Sequence, residues 1–385
     1  MINIKNPSDC CGCTACASIC AHNAITMKPD TLGFLYPIVD KEKCVDCGLC
    51  EKVCAFNDNY DTSLNLEEPL AYAARHKNLE ELRYSRSGAV FIAFSDYILN
   101  QGGVVYGAGY ADHFRVVHKR ATTKEERDEF KGSKYVQSDM NTIFRQVKKD
   151  LREGMCVLFS GTPCQTAGLN SYVGKKLREN LYLLDIVCHG VPSPFIWRDY
   201  VDYIEKKNKS KIKFLEFRDK SIGWYQPHQE SFVLQNNKRV VDFLLRYLFY
   251  SGLVSRPSCE RCHYCNLNRP SDISIGDFWG YERSVPEMNS DNKGISLVIC
   301  NTKKGQELFM NSKSSLWNKS VNLDESLQPN LQHPSIPNPK WEAFQRDYCN
   351  CGFMYVIKKY GTKSFAFRLK GFIKGLLKKI KKTIK

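Results

Sequence analysis

Cys10-Cys11-Gly12-Cys13-Thr14-Ala15-Cys16-Ala17-Ser18-Ile19-Cys20 and Cys44-Val45-Asp46-Cys47-Gly48-Leu49-Cys50-Glu51-Lys52-Val53-Cys54 repeat one spacing. In each run the four regularly placed cysteines are separated by two, two and three residues. That spacing lets one loop curl three thiolates around a cube of iron and sulfide while the fourth thiolate points elsewhere. When two such runs share a module, the fourth cysteine of each ligates the cube of the other. One [4Fe–4S] cluster is therefore assigned to Cys10, Cys13, Cys16 and Cys54, and a second to Cys20, Cys44, Cys47 and Cys50. Zinc and disulfides fit poorly, because eight cysteines in two identical runs overfill any single tetrahedral site. Ala21 and Ala55 stand where proline usually follows the fourth cysteine, a change of loop stiffness more than of ligation. Cys11 is an extra thiol, and a register using it as the ligand is the alternative.

The rest of the composition bounds the class. At 385 residues the chain is long for one domain, and domains of about 100–200 residues suggest two or three. With 43% hydrophobic and 12% aromatic residues it can bury substantial cores and is globular. Met1 to Asp9 is polar, with no signal-like apolar stretch, and no run of about 18 apolar residues offers a span. Eighteen cysteines without an export signal point to metal ligation in a reducing compartment, and the cytoplasm is the expected location.

A net charge of +15 would ordinarily suggest nucleic acid as a partner. Eleven lysines and arginines lie between Lys358 and Lys385 with no acid among them, and setting them aside leaves about +4. The basic excess belongs to the tail, and no nucleic-acid partner is expected. In that tail Phe365, Leu369, Phe372, Ile373, Leu376, Ile380 and Ile384 fall on one helical face with lysines on the other. Such a face suits an anionic membrane surface, so peripheral attachment at the inner face is an expectation, although Gly371 and Gly375 weaken the helix.

Along the body, periodicity alternates between strand and helix. Asn57 to Glu68 reads as a linker closing at Pro69, Leu70 to Ala74 as a strand, and Gly88 to Asn100 as a helix stopped by Gly102 and Gly103. Lys131-Gly132-Ser133-Lys134 is a basic loop that suits phosphate or a solvated turn. Met155 to Ser160 runs as a strand into Gly161-Thr162-Pro163-Cys164-Gln165, with Thr162 at an N-cap and Pro163 at the first helical position. The unit recurs at once as strand Leu181 to Val187, loop Cys188-His189-Gly190-Val191-Pro192, and a helix capped by Ser193-Pro194. Each unit delivers a cysteine to the carboxyl edge of its strand, where open α/β sheets bind ligands. Cys259-Glu260-Arg261-Cys262 is a metal knuckle with Cys265 three residues on, and a zinc site from Cys259, Cys262, Cys265 and His263 is its alternative reading. Cys156 and Cys300 lie in apolar strands as core thiols.

The stretches Gly102 to Gly107, Gly132 to Ser138, Gly161 to Gln165, Asp185 to Pro194 and Ser271 to Gly280 together carry a resemblance. The chain resembles the coenzyme F420 hydrogenase/dehydrogenase beta-subunit family, in the bacterial form with a fused N-terminal double-cluster ferredoxin. The implied fold is an α/β main body, a mixed sheet with helices, preceded by a small α+β bacterial-ferredoxin-like domain. The expected division is residues 1–60 for the double-cluster module, 61–153 for the family's N-terminal-like region, 154–320 for its C-terminal-like region and 321–385 for a linker and basic tail.

The resemblance implies a third [4Fe–4S] cluster and a flavin, FAD. It favours Cys164, Cys188, Cys259 and Cys262 as ligands of the body cluster, with Cys265 competing for one place. Ser87, Lys131, Lys134, Gly161 and Thr162 are the candidates to hold the flavin, and His189 is the candidate proton donor. No G-x-G-x-x-G is present, and Gly107-Ala108-Gly109 lacks its third glycine. The expected activity is that of a flavin- and iron–sulfur-dependent oxidoreductase, passing electrons between a ferredoxin-like or enzyme-subunit partner and a soluble small-molecule substrate. The rival expectations are a non-catalytic electron-transfer subunit and a membrane-associated accessory protein of polysaccharide biosynthesis.

Overall fold

The computed structural model describes residues 1–226, 229–364 and 367. The seven apolar tail residues that carry the membrane expectation, Phe365 to Ile384, all lie outside these. Among the described residues no helix is long and apolar enough to cross a membrane.

The N-terminal module is built twice from one backbone pattern. In the first cysteine run Gly12 and Thr14 flank Cys13 at φ 71° and 72°, and in the second Asp46 and Gly48 flank Cys47 at φ 51° and 71°. These left-handed residues fold each run back on itself before a short helix, Ala15–Ile19 or Leu49–Lys52, that carries Cys16 or Cys50. Between the runs lies an antiparallel hairpin of β1 (Ile25–Pro29) and β2 (Leu35–Val39). Asp30 fixes its turn, its carboxylate accepting from the Leu32 and Phe34 amides at 2.9 Å each.

The body centres on an eight-stranded sheet drawn from β3 (Asn65–His76), β4 (Val104–Tyr110), β5 (Val116–Ala121), β6 (Val157–Gly161), β7 (Leu181–Ile186), β11 (Ile273–Asp277), β12 (Ser296–Thr302) and β13 (Leu316–Ser320). The strand order is β13-β3-β12-β11-β7-β6-β4-β5. Parallel pairing of β4, β6, β7 and β11, with antiparallel steps through β12 to β3, makes all five of these strands run the same way. Their carboxyl ends therefore share one edge. Helices Val90–Asn100 and Lys303–Ser312 cover one face through Phe94, Ile98, Leu308 and Phe309. Helices Ile143–Arg152 and Pro163–Val173 cover the other through Phe144, Val147 and Leu169. A three-stranded antiparallel sheet of β8 (Ile212–Phe217), β9 (Glu230–Leu234) and β10 (Arg239–Asp242) packs with helix Pro194–Asn208 in a separate core.

The expected caps form. Thr162 and Gln165 make a reciprocal capping box at Pro163, and the Ser193 hydroxyl accepts from the Ile196 amide at 3.1 Å. Two expectations need correction. The linker read over Asn57 to Glu68 is already strand from Asn65, because that polar end of β3 stays partly exposed and pairs with Thr302 only across a register shift. Helix Trp341–Lys359 went unread because Gly352, at φ 75°, breaks its periodicity. Phe344 and Tyr348 bury before the break and Phe353, Val356 and Ile357 after it.

The N-terminal module is bolted to the body. Arg256, fully buried, donates to the carbonyls of Cys10 and Leu35 at 2.8 and 2.9 Å and to Gln137 at 2.8 Å. Its guanidinium also lies 4.2 Å over the Tyr36 ring. Arg145 collects the orphan carbonyls of Ala17, Ser18 and Cys20 at the end of the first short helix. Gly168 permits the closest approach, since a β-carbon there would stand 2.7 Å from Cys13 Sγ.

Candidate functional site

Three groups of thiols result. Cys20, Cys44, Cys47 and Cys50 line a small cavity between the runs, at the surface where Cys47 is exposed. The amides of Ala24 and Ile2 donate to Cys20 and Cys50 at 3.4 and 3.2 Å. Cys10, Cys13, Cys16 and Cys54 form the second group, deeper in the molecule. Burial, and then the charges of Cys13, Cys10 and Cys54, push the Cys16 thiol far above its usual range, and burial with the charges of Cys13 and Cys10 raises Cys54 to about 11. The fourth cysteine of the second run thus lies with the first three of the first run, the grouping that the spacing predicts.

The third group lies in the body. Cys164 sits in the first turn after Thr162, Cys188 at the end of β7, and Cys259 and Cys262 on the one-turn helix Pro257–Arg261 and the residue after it. An isolated bridge between Pro192 and Ser255 holds the two loops together. Burial followed by repulsion from Cys259 and Cys164 drives Cys188 well up, and Cys259 is pushed to about 12 by burial and Cys262. Cys164 and Cys262 move the other way, lowered first by hydrogen bonds from Cys11 and Cys265, Cys262 to about 7. Four partly buried thiols converging on one place are a donor set that suits a soft metal centre. Backbone amides already point at them, Gly190 at Cys188 Sγ over 3.4 Å and Val191 at Cys259. Such hydrogen bonds to sulfur are one of the levers that set cluster potentials.

Cys265 also falls beside this group, hydrogen-bonded to Cys262 and brought down to 9% exposure. His263 turns away, its Nδ1 lying 2.7 Å from Asp58 Oδ1, so the four residues of the zinc reading are not assembled around one point. Cys300 is a core thiol in β12, and Cys156, just before β6, is half-buried against the same core. Cys349 and Cys351 are exposed on the helix Trp341–Lys359. The extra thiol of the first run, Cys11, is buried within hydrogen-bonding reach of both Cys13 and Cys164.

Next to Cys188 a cleft of about 220 Å³ opens along the carboxyl ends of the parallel strands. Every flavin candidate named from the sequence lines it: Ser87, Lys131, Lys134, Gly161 and Thr162, with His189. Their side chains differ in what they leave free. Ser87 is spent on the backbone, donating to the Ile295 carbonyl at 2.6 Å, and Lys131 is paired with Glu81 and Asp128 at 2.6 and 2.9 Å. Lys134 donates to the carbonyls of Glu129 and Lys131 and lies 5.5 Å over the Tyr110 ring, and burial brings its ammonium down to about 7. Burial also lowers His189, which faces Asp277 and Arg218.

Sequence reasoning missed Arg86, Arg218 and His118 in the same walls. Arg218 pairs with Asp277, whose other oxygen accepts from Trp224 Nε1 at 2.8 Å. His118 stacks on Phe159 and is hydrogen-bonded to Ser138 Oγ at 2.8 Å and to the Ser160 carbonyl at 3.0 Å. Burial depresses it to about 4, so it is a neutral wall residue at neutral pH. None of the three stands in a recognisable motif, and only the folded sheet edge brings them to the cleft.

Two family models match the chain. Residues 9–57 match the one described as a 4Fe-4S dicluster domain. Residues 154–324 match the one that describes the C terminus of the beta subunit of coenzyme F420 hydrogenase/dehydrogenase. The chain is an iron–sulfur protein of electron transfer. It carries the carboxyl-terminal region of the coenzyme F420 hydrogenase/dehydrogenase beta-subunit family behind an N-terminal dicluster domain, so the resemblance read from the sequence holds. No curated protein sequence matches the chain. Among solved structures, a chain of the xenon-derivatised F420-reducing [NiFe] hydrogenase complex from Methanosarcina barkeri is similar. Its identity is 18%, over 77% of this chain and 94% of that one, with a TM-score of 0.47.

Proposed function

We propose that the protein is a flavin- and iron–sulfur-dependent oxidoreductase subunit, exchanging electrons between a one-electron protein partner and a soluble substrate held in the sheet-edge cleft. The observation that carries this reading is the convergence of Cys164, Cys188, Cys259 and Cys262 beside that cleft, with the cysteine-rich module docked directly behind them. Iron–sulfur clusters supply single-electron transfer and a flavin supplies both one- and two-electron chemistry, so together they connect a one-electron carrier to hydride exchange.

The chain's own residues give that chemistry a direction in space. The surface quartet around Cys47 is where a ferredoxin-like or enzyme-subunit partner would meet the chain. Cys10, Cys13, Cys16 and Cys54 lie between it and the body thiols. Gly161 and Thr162, at the amino end of the helix Pro163–Val173, and Lys134 across the cleft would hold FAD, since backbone amides and a cation suit its phosphates. His189, neutral because burial disfavours its charge, is suited to pass a proton within the cleft. A carrier with no substrate would have no use for this cleft, which favours the oxidoreductase over the plain electron-transfer subunit.

The test is anaerobic purification followed by stopped-flow reduction with methyl viologen radical. About one flavin per chain, bleached quickly in the wild type and far more slowly in Cys259→Ser, is the expected result. Protein with no flavin and only about eight irons would make it a plain electron carrier instead.

A further inference from the structure

Charge compensation around the cleft is uneven. Lys131 has two carboxylates and Arg218 has Asp277. Arg86 has neither kind of match: its side chain is 9% exposed, and its one ion pair is with Glu216 at 3.8 Å. Among the described residues its Nε and Nη1 have no hydrogen-bond partner. Two further cations stand against it with no carboxylate within ion-pair distance among the described residues. Lys134 donates to the carbonyls of Glu129 and Lys131 at 2.7 and 2.9 Å, and Lys220 to those of Leu82 and Ser87 at 2.6 and 3.1 Å.

Repulsion from Arg86 helps to hold both lysines down to about 7, after burial, while Glu216, the carboxylate paired with Arg86, is itself raised by burial, and Asp219, Asp277 and Glu129 attract the three cations only from beyond ion-pair distance. A guanidinium is ionised at any physiological pH, and a nearly buried one normally has its donors satisfied. Leaving it unmatched in a wall costs far more than pairing it. The imbalance has the sign and place of a missing anion.

We infer that Arg86, with Lys134 and Lys220 beside it, forms a subsite for a phosphate-class anion at the end of the cleft. The two idle nitrogens, Nε and Nη1, lie on different edges of the guanidinium, and each offers a charged hydrogen bond to an anion oxygen. The subsite deepens the reading of the cleft as the flavin and substrate site and rests on it only for the identity of the ligand. The same chemistry is offered by the phosphates of a flavin and by a phosphorylated or otherwise dianionic substrate.

The test uses the full chain prepared anaerobically, with inorganic pyrophosphate, riboflavin, FMN and FAD as probes in calorimetry. Wild type is expected to bind pyrophosphate saturably, and Arg86→Gln to weaken it by at least about tenfold, the size of one charged hydrogen bond, with Arg86→Lys between them. If the subsite holds the flavin's phosphates, Arg86→Gln also weakens FMN and FAD but leaves riboflavin unchanged. If it holds the substrate's anion, all three flavins bind alike to wild type and variant while pyrophosphate binding is lost. Both results support the subsite and separate its sources. Binding of pyrophosphate with no flavin bound by either protein would sustain the subsite and overturn the flavin. No saturable pyrophosphate binding by wild type, or equal binding by Arg86→Gln of unchanged melting temperature, overturns the subsite. If Arg86→Gln melts early, Arg86→Lys carries the comparison, and unchanged binding there together with unchanged binding in Lys220→Met is the contrary result.

Discussion

The thiol of Cys11 stands between Cys13 and Cys164, hydrogen-bonded to both in turn. It therefore links a proposed ligand of the module to a proposed ligand of the body. Because a donor to sulfur stabilises the more negative, reduced state, removing it should move a potential downward. Cys11→Ala is expected to keep its full iron content while a midpoint potential in redox-titrated EPR becomes more negative, with a smaller shift in Cys11→Ser. Loss of about four irons would instead make Cys11 a ligand, the register left open by the sequence.

Gly168 offers a test of how tightly the module docks. Alanine in a helix ordinarily gains about 1 kcal/mol over glycine. Here the added β-carbon would meet Cys13 Sγ at 2.7 Å, and overpacking costs about 1–3 kcal/mol. Gly168→Ala should therefore lower the thermal midpoint of the anaerobic protein, and a raised midpoint would show that the two surfaces have slack.

Behind the body thiols, Arg269 and Asp185 form an ion pair of 2.7 Å in which both side chains are fully buried. Arg269→Met strands the Asp185 carboxylate, an effect of about 3–5 kcal/mol in other buried pairs. Urea denaturation should show a loss of that order, part of it restored by adding Asp185→Asn. A change within about 0.5 kcal/mol, as for an exposed site, would contradict the arrangement.

Lys134 predicts a pH dependence. Its ammonium, lowered to about 7 mainly by burial, faces Arg86 and Lys119 as repelling cations and Glu129 as an attracting carboxylate. An anion favours the protonated form, so binding takes up a proton above pH 7 and none once the lysine is already charged. Affinity for sulfate, which stays dianionic throughout, should rise by up to about tenfold per unit for each lysine that takes up a proton, Lys134 and Lys220, as pH falls from 9 toward 7, then level off. Lys134→Met should make the profile shallower, leaving the part contributed by Lys220, also lowered to about 7, and a wild-type profile that is already flat would remove the lysines from the subsite.

How far the sequence reaches is visible in these residues. The eight module cysteines were legible because ligand spacing is local, and so were the two strand-loop-helix units, whose caps at Thr162 and Ser193 lie within four residues. The convergence of Cys164 and Cys188 with Cys259 and Cys262 came through resemblance, since it depends on strand order. Arg86, Lys220 and Arg256 gave no sign at all. Each acts through partners more than a hundred residues away, such as Lys220 with Leu82 or Arg256 with Cys10.

Iron stoichiometry of the Cys259→Ser, Cys262→Ser double variant, set beside the wild type after anaerobic preparation, bears most directly on the central claim that the body holds a cluster of its own. About twelve irons per chain in the wild type and about eight in the variant, with the EPR of the module retained, is the predicted result. Equal iron in the two proteins, or zinc in place of iron, would contradict it.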